Sequence, residues 1–264
     1  MPLLETLLLN QFAMFTLVLA RVGALVMSAP IFGTRSAPLR VRALLAVAIT
    51  LLVTPLVASH PAPDMANLLV YARYLMSEAL VGLLLGFGIT LLLSGIQITG
   101  QVISQLSGTA LANVFDPSLE SNVSIYSQLF YFLALAMFVM LDGHRLVMDA
   151  LLDTYAWLPP GQASLGATYV EALTTLLAQS FLLGIRAAAP AMTALLLATL
   201  VLGLIGRTMP QINILAVGFS INSLLTLGCL FTTIGAIAWA FPQQTAAAID
   251  ILRDALRPAA ALSP

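Results

Sequence analysis

Apolar residues gather into six long runs, at 7–32, 43–58, 75–98, 123–141, 168–205 and 212–241. A helix needs about 20 residues to cross a bilayer. Five of the runs fit one crossing each, with 43–58 on the short side. The run 168–205 is too long: at ~1.5 Å per residue it outreaches a hydrocarbon layer of ~30 Å. Pro190, in the stretch Arg186-Ala187-Ala188-Ala189-Pro190, marks the place where it kinks or turns back, because proline removes a helix hydrogen bond and clashes with the preceding turn. Both readings stay open, and with them a count of six or seven spans. His60-Pro61-Ala62-Pro63-Asp64 and Leu158-Pro159-Pro160-Gly161 are turn chemistry between elements, the second following a short piece at 145–157. The expectation is an all-α membrane protein of stacked helical hairpins, a single unit with no room for a soluble domain.

Polar residues interrupt this pattern in an ordered way. Gln97, Gln101 and Gln105 recur every four residues, and Gly100, Ser104 and Gly108 form a small-residue stripe beside them. If the third helix continues to about residue 107, that end faces protein or a water-filled lumen, or it is an ordinary helix end emerging into water. Gly82 and Gly86 give a small-xxx-small pattern that lets helix backbones approach. Arg21, Arg73, Glu78, Glu171, Arg186 and Arg207 lie in or at the ends of apolar runs. Charges in such places face protein or water. For Arg73 and Arg207, snorkelling to the interface suffices; Arg21 is the one expected to have a buried partner.

Between the third and fourth runs stands TALANVFDPSLESN, residues 109–122. Asp116-Pro117 fixes a turn, Val114-Phe115 sets an apolar knob before it, and Asn113, Ser118, Ser121 and Asn122 can bond local backbone. Non-helical backbone at membrane depth is tolerated only when buried in protein or lining a cavity. Two readings follow: a surface connection, or a segment folded back into a central space with Phe115 and nearby aliphatics excluding water and ions.

Composition narrows the chemistry. The 264 residues are 60% hydrophobic and 8% charged, against roughly 25% charged in a soluble domain. The ten basic residues are all arginine. That removes a phosphate-binding Walker lysine, a Schiff-base lysine and a Ser-Lys dyad. His60 and His144 are far apart, no GxSxG elbow is present, and Cys229 stands alone, so no enzyme, cofactor, metal site or intrachain disulfide is expected. With a net charge of −1 and no Arg cluster beyond Arg35, Arg40 and Arg42, nucleic acid is not an expected partner. That cluster places the first connection in the cytoplasm by the positive-inside rule. Arg253 and Arg257, expected to pair with Asp250 and Asp254 on a short amphipathic tail, then vote differently for six and seven spans. The opening MPLLET is acidic and unlike a signal peptide, so the first segment is expected to be retained.

Four phrases carry a resemblance: RVGALVMSAPIFGTRSAPLRVRALLAVAI, ANVFDPS, DGHRLVMDALLDTY with LPPG, and RTMPQINILAVGFSI. In this order and spacing the chain resembles the FliR/SctT family of type III secretion export-gate proteins, its phrasing closer to the flagellar branch. The resemblance implies a fold like a fusion of the FliP and FliQ folds, with a FliP-like part over about 1–205 and a last hairpin and tail over about 206–264. It implies a pore formed with FliP and FliQ in the inner membrane at the flagellar basal body, with FlhB and FlhA as further partners and unfolded exported proteins as cargo. It implies that Gly108, Ala110, Leu111, Val114, Phe115, Asp116 and Pro117 belong to a plug within 108–122. Gln97, Gln101 and Gln105 would then lie near the pore, and Arg21, Glu78 and Arg207 would be buried or assembly charges. The alternative is a small-solute secondary transporter, for which Arg21, Glu78, Glu171 and Arg186 are candidates but paired broken halves are missing.

Overall fold

The computed structural model describes residues 2–30, 32, 38–57, 67–108, 124–162, 167–209, 211 and 214–257. Among these there are seven helices and no strand: α1 (Pro2–Ser28), α2 (Leu39–Val57), α3 (Leu68–Leu106), α4 (Ile125–Met140), α5 (Gly143–Trp157), α6 (Ala167–Thr208) and α7 (Ile214–Leu256). Five helices are long and apolar enough to cross a membrane, or six if α4 and α5 together count as one broken span. The chain is an all-α membrane protein.

The long run resolves into one helix. α6 has 42 residues and continues through Pro190 without a break. α3 has 39 residues and α7 has 43. At ~1.5 Å per residue each is roughly twice the ~30 Å hydrocarbon thickness. α7 outruns its apolar stretch because the segment TAAAIDILRDAL, poorer in apolar residues, is rich in helix formers. It also buries Ala248, Ile249, Leu252 and Leu256.

Two compact units divide the chain. The first comprises 1–91, 142–176 and 246–264; the second comprises 92–141 and 177–245. α3, α6 and α7 each contribute residues to both.

In the first unit α1 packs on α2 and on the first half of α3. The α3 contact explains the small-xxx-small pattern. A Cβ at Gly82 would land on the backbone carbonyl of Arg21, and one at Gly86 would strike the Ser28 hydroxyl. The stripe continues one turn on, where Thr90 Oγ1 donates to the Ser28 carbonyl at 3.1 Å. Earlier on the same helices, Thr16 Oγ1 and the Tyr71 hydroxyl are hydrogen-bonded. Gly82→Ala is expected to wedge α1 from α3 and cost about 1–3 kcal/mol, the usual range for overpacking. The check is the thermal unfolding midpoint of the purified protein; an unchanged midpoint would mean the helices part without cost.

In the second unit the far half of α3 meets two helices at close range. Gly95 and Gly184 lie backbone to backbone, and Gly100 lies against the backbone of Tyr126 and Ser127. Thr99 Oγ1 donates to the Gly184 carbonyl at 2.9 Å. By contrast, only 22% of the span residues of α6 and of α7 are buried, against 61% for α3. Leu197, Leu200, Leu224 and Phe231 stand exposed. Apolar surface on this scale waits for lipid or for other protein.

Candidate functional site

Two polar constellations stand out from this apolar framework, one in each unit. The first is built on Arg21. Its position in the middle of an apolar helix makes its charge costly unless it is paired and fully hydrogen-bonded. Both Arg21 and Glu78 are completely buried, and Arg21 Nε and Nη2 each lie 2.6 Å from Glu78 Oε2. Arg21 Nη1 donates to Thr154 Oγ1 at 2.9 Å and Nη2 to the Leu158 carbonyl at 3.1 Å. The Thr154 hydroxyl itself donates to the Leu151 carbonyl at 2.6 Å. The second carboxylate oxygen of Glu78 accepts the Gly161 backbone N–H at 2.8 Å. The guanidinium also lies over the Tyr155 ring, 4.3 Å from its centroid.

Local sequence explains how these partners arrive. Thr154 and Tyr155 sit in the last turn of α5. Leu158-Pro159-Pro160-Gly161 then turns the chain, with Gly161 at φ +85°, a conformation glycine adopts without strain. That turn presents one carbonyl to the arginine and one N–H to the carboxylate. Gly82, one helical turn beyond Glu78, allows the approach that brings the pair together. The result is a charge-neutral node that ties α1, α3, α5 and the turn after it. Sequence reasoning singled out Arg21 and Glu78 but missed Thr154, Leu158 and Gly161. The LPPG turn was legible as a turn, while its bonding to a helix some 80 residues earlier had no local signature.

Arg207 does not join this pair. It lies exposed in the last turn of α6. Arg253 pairs with Asp153 at 3.1 Å rather than with Asp250, and Arg257 lies near Asp254 at 3.7 Å and over the Trp157 ring. The tail of α7 is therefore bonded to α5 rather than only to itself.

The second constellation is the polar end of α3 with the start of α4. Gln97 and Gln101 are half-buried and Gln105 is exposed. Gln101 Oε1 accepts a hydrogen bond from Ser127 Oγ at 3.1 Å. Ser124 caps α4, its Oγ accepting the Ser127 N–H at 3.0 Å. α3 ends where Gly108 takes φ +77°, a frequent glycine helix stop. Ala110, Leu111, Val114, Phe115, Asp116 and Pro117 lie outside the described residues. The helix ends that flank them are held together, because Gly100 and Gln101 bear on the first turn of α4.

Comparison with known proteins decides the family. Residues 12–248 match the family described as bacterial export proteins, family 1. The chain belongs to that family. It is 35% identical over 211 residues to flagellar biosynthetic protein FliR of Escherichia coli (strain K12), covering 80% of this chain and 79% of that one. It is 31% identical over 252 residues to FliR of Pectobacterium carotovorum subsp. carotovorum, covering 94% and 95%. With FliR of Caulobacter vibrioides it shares 29% over 241 residues, covering 91% and 96%. Both polar constellations lie inside the matched range.

Proposed function

We propose that this chain is one subunit of the flagellar type III protein export gate in the bacterial inner membrane, at the flagellar basal body. In this reading it forms the pore with FliP and FliQ, meets FlhB and FlhA, passes unfolded proteins and performs no catalysis itself. The segment around 108–122 is the plug, with Phe115, Asp116 and Pro117 at its centre. A FliP-like part over about 1–205 and a last hairpin beyond it belong to the same proposal.

The observation that carries the reading is membership of the export family over nearly the whole chain. Geometry adds support. A stopper needs a firm base, and the two helix ends flanking 109–123 are stapled by close backbone packing and the Gln101–Ser127 bond. The half-buried glutamines beside that base suit a water-bearing space better than lipid. The bare faces of α6 and α7 suit a protein that is completed by neighbours. The Arg21–Glu78 node, saturated with partners from its own chain, has no open valence for a solute, which weighs against a transporter site there.

Co-expression tests this. The purified chain is expected to be unstable in detergent alone and to gain a clearly higher unfolding midpoint when made with FliP and FliQ. A chain that is equally stable alone and binds a small solute would point to the transporter instead.

A further inference from the structure

We draw no further inference here: the strongest candidate, the cleft in the first unit between the last turns of α2 and α5, walled by Val53, Leu56 and Leu152 and by Tyr155 with its buried hydroxyl free of any hydrogen bond among the described residues, is an apolar surface, and nothing in the structure shows what covers it.

Discussion

Deletion of residues 110–120 is expected to leave the chain assembled with its partners while the cell membrane becomes leaky to ions and small solutes. The reasoning starts from the base of the loop. Gly108 ends α3 and Ser124 caps α4, and packing at Gly100 and the Gln101–Ser127 bond hold the two helices together without help from the loop. The four residues left in the gap reach up to about 14 Å when extended, enough to join neighbouring helix ends. What the deletion removes is the stretch for which the sequence predicts an apolar knob at Val114 and Phe115 and a turn at Asp116-Pro117. Ion conductance of cells or vesicles carrying the assembled variant is the measurement. A variant that stays tight and exports normally would remove the plug assignment while leaving the export family intact.

Arg21→Met or Glu78→Met alone is expected to lower stability by about 3–5 kcal/mol, because each strands a buried charge and the dipoles arranged around it. Against a total of ~5–15 kcal/mol that is enough to cut the yield of folded protein sharply. The double variant, Arg21→Met with Glu78→Met, removes both charges and is expected to recover much of the loss, since apolar replacements of buried pairs are often neutral. It also leaves the Leu158 carbonyl and the Gly161 N–H without these partners, so recovery should be incomplete. Folded yield and unfolding midpoint in detergent read all three. Single variants with the parental midpoint would show that the node does not hold the first unit together.

Much of this architecture was legible because membrane helices obey a local rule. Apolar runs gave six of the helical elements; the repeat of Gln97, Gln101 and Gln105 only permits the third helix to run on past its apolar stretch, and α3 does so, to Leu106. The small-xxx-small reading at Gly82 and Gly86 found its explanation in the α1–α3 contact. Pro190 left the long run ambiguous because proline predicts a missing hydrogen bond, and whether a helix turns or continues depends on its neighbours. What the sequence hid was long-range. Thr154, Leu158 and Gly161 meet Arg21 and Glu78 from over 75 residues away, and nothing in their immediate surroundings announces it. Arg253 looked matched by Asp250, three residues earlier on the same helix, yet bonds Asp153 on α5. Local charge pairing at helical spacing is worth little on an exposed face, so a better-placed partner elsewhere wins.

The most direct measurement is the mass of the intact complex that co-purifies with this chain from the membrane. One copy of the chain together with several copies of FliP and of FliQ is the expected composition. A lone chain, or a complex of this chain with itself carrying a bound small solute, would contradict membership of a shared export pore.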